Sequence, residues 1–139
     1  NVDANGVWKL MKQMAPEWCG GVTVRECWFE PTFHKHAGKL CNGLMMHAEG
    51  PDYAHELFRP WRLQALAFNA IRTLYPDYEL WRDFPYEYEL DRLAIDVING
   101  GPGLREWVDD AGAAPGELDE AAAQDEALWA QTVRGHLLY

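Results

Sequence analysis

The sequence predicts an α+β protein: a small β-sheet packed against several helices, closed by a long C-terminal helix. Three observations lead there. β-Branched and aromatic residues fill Val22–Phe29, and a second strand-like run follows at Leu44–Ala48. From Pro60 onward, apolar residues recur at helical spacing instead. Strands early and helices late fit one sheet covered by helices, and no internal repeat or composition break divides the chain.

The elements follow in order. Val7–Met14 carries Val7, Leu10, Met11 and Met14 at helical spacing, and Pro16 and Gly20-Gly21 end it. In Val22–Phe29, strand alternation puts Val22, Val24 and Trp28 on one face and Thr23, Arg25, Cys27 and Phe29 on the other. Pro31 lacks a ladder donor and releases the chain into a loop. Gly43 precedes the second strand, where Leu44, Met46 and Ala48 face away from Met45 and His47. Gly50-Pro51-Asp52 is a turn. Pro60 suits the first position of a helix to about Tyr75, with Leu63, Ala67, Ala70, Ile71 and Leu74 as its buried stripe and Pro76 as its stop. Tyr78–Trp81 reads as a third short strand. Asp91 caps a short helix through Ile98, the Gly-rich stretch Asn99–Gly103 breaks it, and Leu104–Asp110 resumes. Glu117 to about Leu137 is the long helix, with Leu118, Ala122, Trp129, Val133 and Leu137 inward.

The 139 residues are expected to form a single domain, 1–139, long enough to bury roughly 70% of the unfolded surface. The chain opens on Asn1, which points to processing or to a longer parent. A net charge of −10 excludes phosphate-backbone binding, so no nucleic-acid partner is expected. No run approaches a membrane span, no signal-peptide pattern is present, and no membrane partner is expected. Cys19, Cys27 and Cys41 are odd in number without CxxC spacing and read as buried free thiols. No cofactor is implied. The seven Trp suit core edges first, and glycan or partner surfaces second. The acids between Glu106 and Glu126, with no Lys or Arg among them, read as a solvated helical face.

Phe29–His47 is the segment where chemistry concentrates. It holds His34, Lys35 and His36 in a loop between two strands, with Lys39 and Arg25 nearby, so an anionic ligand meets least repulsion there. Three readings of its histidines compete. His34, His36 and His47 can make a metal set, but a loop does not fix an HxH pair. His47 can act as general acid–base, which requires an orienting partner. Lys35 and His47 can contact a ligand from a cleft wall, which demands least. An ordinary hydrogen-bonded histidine on a half-buried strand stands beside all three. Glu87 and Glu89 flank Tyr88, paired acids beside an aromatic as in a sugar hydrolase, yet the run shows no burial signal that would raise a carboxyl pKa. Gly100–Gly103 lacks the Lys-Ser/Thr of a phosphate loop, and GxSxG, HExxH and GxGxxG are absent.

The pattern Phe29, Pro31, Phe33, Lys35, Gly38, Cys41, Gly43, followed by His47, resembles the C-terminal domain of NamZ-type exo-β-N-acetylmuramidases. The resemblance continues through the Arg59–Pro76 helix and LYPD (Leu74–Asp77), the PYEYE run (Pro85–Glu89), DRLAID (Asp91–Asp96), LREWVDDAG (Leu104–Gly112) and the terminal Leu137–Tyr139. It implies an auxiliary domain of a bacterial cell-wall hydrolase that removes terminal N-acetylmuramic acid from peptidoglycan fragments. It further implies catalytic glutamates on a separate Rossmann-like N-terminal domain of the same protein, so no catalytic residue carries over. The partners it implies are that domain and a peptidoglycan-derived saccharide; the compartment is not readable from these residues, a periplasmic or secreted parent being one expectation. Phe33, Lys35, His36 and His47 are the expected contact residues, facing the cleft or the domain interface. The family usually has Tyr at position 36 and Gln at position 45, where this chain has His36 and Met45. The alternative is a non-catalytic module that recognises glycan or protein.

Overall fold

The computed structural model describes residues 2–138. In chain order these form α1 (Ala4–Met14), a 3₁₀ turn (Pro16–Cys19), β1 (Thr23–Phe29), β2 (Cys41–His47), α2 (Pro60–Leu74), α3 (Ala94–Asn99), α4 (Gly103–Asp109), α5 (Pro115–Val133) and a final 3₁₀ turn (Arg134–His136). The architecture is α+β, as expected: a two-stranded antiparallel sheet, helices packed on it and on one another, and a long C-terminal helix.

The core is built on α2. Pro60 opens it with a preset φ, and Pro76 follows its last turn. Leu63, Ala65, Leu66 and Ala70 have no exposed surface, and Ala67 and Asn69 are also buried. The apolar surface therefore wraps further round the helix than one stripe. The alanines let neighbouring helices approach closely, and contacts run from β2 to α1, from α1 to α2 and from α2 to α4. Val7 and Met11 supply the buried stripe of α1, while Trp18 of the 3₁₀ turn and Trp107 of α4 meet with ring centroids 6.3 Å apart.

The sheet register pairs Thr23 with His47 and Phe29 with Cys41. It puts Val24 opposite Met46, and Leu44 and Met46 pack on the core, so the expected facing of both strands holds. The second strand begins at Cys41, so Gly43 lies inside it rather than before it. Gly21, at φ +72°, fixes the entry to β1. A Cβ there would lie 2.6 Å from the Ala54 carbonyl oxygen and 2.7 Å from the Phe58 nitrogen, and the Gly21 carbonyl accepts from Ala54 N–H.

Four expectations are corrected. Tyr78–Trp81 is not a strand. The Arg72 guanidinium takes the Pro76 and Tyr78 carbonyls, so a side chain replaces the ladder, while Trp81 packs edge-on to Phe68. Asp91 does not cap α3, which starts at Ala94 behind Leu93 with no side-chain cap, too late for Asp91 to reach it. Trp129 and Leu137 are exposed because α5 buries only Leu118, and Leu74, in the last turn of α2, is 42% exposed. Finally, the acidic run is not merely solvated, since Asp119 and Glu126 of α5 both bind Arg62 of α2. Tyr139, part of the terminal motif, lies outside the described residues.

The three cysteines are free and half-buried rather than fully buried. Burial first, and the Glu17 carboxylate second, push the Cys19 thiol up to about 11. Cys19 therefore stays protonated near neutrality. An alkylating reagent at pH 8 is expected to leave Cys19 unmodified in the folded chain and to modify it in denaturant, as read by mass spectrometry. Gly21→Ala should destabilise by about 2–5 kcal/mol, combining a left-handed backbone penalty with overpacking, measurable by urea unfolding.

Candidate functional site

The β1–β2 hairpin carries the site. One face packs on α1 and the core through Leu44 and Met46, and the other carries Arg25, Cys27, Phe29, Cys41, Met45 and His47. The Phe29 ring lies over Gly43, where a Cβ would come within 3.0 Å of it. Asn42 fastens the hairpin to α1. Its Oδ1 accepts the Ala4 N–H at 2.7 Å, and its Nδ2 donates to Glu26 at 2.8 Å. It thereby satisfies an otherwise free N–H at the start of α1, beside the Asp3 cap that accepts from Asn5.

The connecting loop is wound tightly. His34 (φ 58°), His36 (φ 65°) and Gly38 (φ 69°) alternate in the left-handed region. Non-glycine residues held there cost on the order of 1–2 kcal/mol each. Gly38 N–H donates to the Pro31 carbonyl and Lys39 N–H to that of His36, which closes the loop on itself. The winding throws Phe33, Lys35 and His36 outward; Phe33 is 71% exposed and stacks edge-on against His34.

At the base of the loop lies an open cleft of about 420 Å³. Lys35, His36 and Lys39 line it on one side, with Phe29, Leu40, Val2 and Tyr78 around them, and none of its lining residues is a carboxylate. In a chain of net charge −10 this is a local cationic pocket for an anion.

The structure gathers Lys35 and His36 into this cleft but places His47 elsewhere. His47 ends β2, some six residue steps or roughly 20 Å from Cys41 along the strand. There Arg25 Nε donates to His47 Nε2 at 2.8 Å, so the ring N–H sits on Nδ1, 3.7 Å from Glu49. His34, His36 and His47 are thus not one ligand set, and among the described residues no group of three His, Cys, Asp or Glu side chains converges on a metal position.

The carboxylates show a consistent pattern. Among the described residues, Glu89 stands partly exposed, Asp96 is the one buried carboxylate, and Asp119 is again partly exposed. Each is held by a guanidinium, from Arg92, Arg105 and Arg62 respectively. The hydrogen bond from Arg92, reinforced by its charge, holds Glu89 below the usual carboxylate range. Glu87 sits at positive φ in the tight Tyr86–Glu89 turn, beside a Tyr88 that is 96% exposed. A guanidinium partner favours the ionised form, the opposite of what a glycosidic general acid requires.

A family model described as "Exo-beta-N-acetylmuramidase NamZ, C-terminal" matches residues 3–139. The chain belongs to this family. Searches of curated proteins and of solved structures returned no match. In this NamZ C-terminal domain the cationic hairpin cleft and the arginine-paired acids lie on different elements.

Sequence reasoning named Arg25 of this NamZ domain only for its charge and did not find Asn42 or Arg62. Arg25 fixes His47, Asn42 ties hairpin to helix, and Arg62 gathers the acids of α5. An Asn inside a strand was a visible signal for the second, but the others depend on packing between distant segments. Asn42→Ala should cost about 1–2 kcal/mol and speed hydrogen exchange at the Ala4 amide, as for other lost helix caps.

Proposed function

We propose that residues 1–139 are a single auxiliary domain of a peptidoglycan exo-β-N-acetylmuramidase, and that the carboxylates which break the sugar bond reside on a preceding catalytic domain. The observation that carries this reading is the cleft of Lys35, His36 and Lys39 without a carboxylate, while the one buried acid among the described residues, Asp96, is held by Arg105. N-acetylmuramic acid bears a lactyl carboxylate, and an ammonium on a cleft wall meets such a group as a point charge. Lys35 binds that carboxylate, with Lys39 and His36 beside it, and Phe33 offers an aromatic edge to the sugar.

His47, held by Arg25 on the outer hairpin face, belongs to the surface that meets the catalytic domain rather than to the saccharide cleft. Met45 and Phe29 share that face and stand exposed, which supports the placement.

The isolated chain is expected to show no turnover of a chromogenic N-acetylmuramide. In the full-length enzyme, Lys35→Ala combined with Lys39→Ala should raise KM roughly five- to tenfold at low salt, with little change in kcat and a smaller effect at high salt. Hydrolysis by residues 1–139 alone, or unaltered kinetics in the double variant, would remove the basis of the proposal.

A further inference from the structure

Among the described residues, two polar side chains are buried in the core region, and they differ. Asp96 is satisfied by three hydrogen bonds from Arg105. Asn69, in the middle of α2 and only 4% exposed, makes no side-chain hydrogen bond to any described residue. Leaving a carboxamide unpaired in such a place is costly, of the order of 1–3 kcal/mol. Its polar atoms are nonetheless not sealed in, since no fully enclosed side-chain nitrogen or oxygen among the described residues lacks a partner.

They open into a cleft of about 480 Å³ between α1, α2 and the turn after α4. Leu10 and Met14 form one wall and Val108 and Ala113 another, with Thr73 one helical turn beyond Asn69. The charged groups at the rim are committed to each other. Arg72 holds Asp109 and two carbonyls, Trp81 Nε1 takes the second Asp109 oxygen, and Asp110 accepts the Gly112 N–H. What remains is the neutral Asn69 carboxamide, with the Thr73 hydroxyl one turn on, above an apolar wall. None of these residues lines the hairpin cleft.

We propose that this cleft binds a small uncharged ligand through a secondary amide. Asn69 Nδ2 donates to the ligand carbonyl, while the ligand N–H, which points the opposite way in a trans secondary amide, is left to solvent. The methyl or alkyl group beside that amide packs on Met14, Leu10 and Val108. The cleft volume lies within the range of small-ligand sites. Two sources carry this chemistry, the acetamido group of an N-acetylated amino sugar and the peptide bond. The inference stands independently of the role proposed for the hairpin.

The test is NMR titration of the ¹⁵N-labelled chain, following the Asn69 side-chain NH₂ pair. N-acetylglucosamine and N-acetyl-alanine N-methylamide are the probes, and glucosamine is the control without an amide. A saturable shift with either amide probe, absent with glucosamine, supports the site, and whichever probe binds names the source. Asn69→Leu should weaken that binding at least about tenfold while leaving Tm unchanged or higher, because a structural role would lower it. Ala111→Trp, at an exposed rim position, should block binding without touching the core, and serves if the first variant does not fold. Silence from both amide probes, an equal response to glucosamine, or full affinity in Asn69→Leu or Ala111→Trp overturns the proposal.

Discussion

The structure depends on how fully α2 is enclosed. A helix with Leu63, Ala65, Leu66 and Ala70 all at zero exposure must be approached from several directions at once. Its alanines make that possible by letting α1 and α4 come close, and its leucines fill the spaces between. Everything else is placed by reference to it: α1 against one flank, α4 against another, and the hairpin laid on α1 through Leu44, Met46 and the Asn42 bond to Ala4. A two-stranded ribbon alone is marginal in water. Here it has a defined position because it borrows a helical floor.

That scaffold separates two kinds of charge. The acids, in excess overall, are drawn towards arginines on α2, α4 and the segment after the Tyr86–Glu89 turn, where they act as ties between elements. The loop lysines point the other way, into a cleft with no acid in its lining. Asp119 and Glu126 illustrate the first role: Arg62 is mostly buried and anchors the first half of α5, while the second half runs on with Leu128 and Trp129 exposed.

The sequence was most readable where periodicity and punctuation agreed. Pro60 and Pro76 bracket α2 because each acts on its own backbone, whatever the tertiary context. The alternation in β1 and β2 correctly assigned both faces, since register leaves no freedom once one face is buried. The family pattern around the loop was equally plain. Failure came where long-range contacts overrule local preference. Tyr78–Trp81 has strand-forming side chains but gives its carbonyls to Arg72. Trp129 and Leu137 follow the helical period without a surface to meet. At the site, Lys35 and His36 converge as loop neighbours do, whereas the distance of His47 from them follows from strand length and direction. Asn69 was hidden inside an apolar helix, where only burial and the lack of a partner distinguish it.

The alternating left-handed residues of the loop have an entropic consequence. His34, His36 and Gly38 sit in a region of torsion space that a free chain seldom visits, fastened there by the bonds to Pro31 and His36. The freedom a loose loop would surrender on meeting a ligand has already been given up during folding. A molecule docking at this rim would therefore meet a shape the chain adopted beforehand rather than one it could mould.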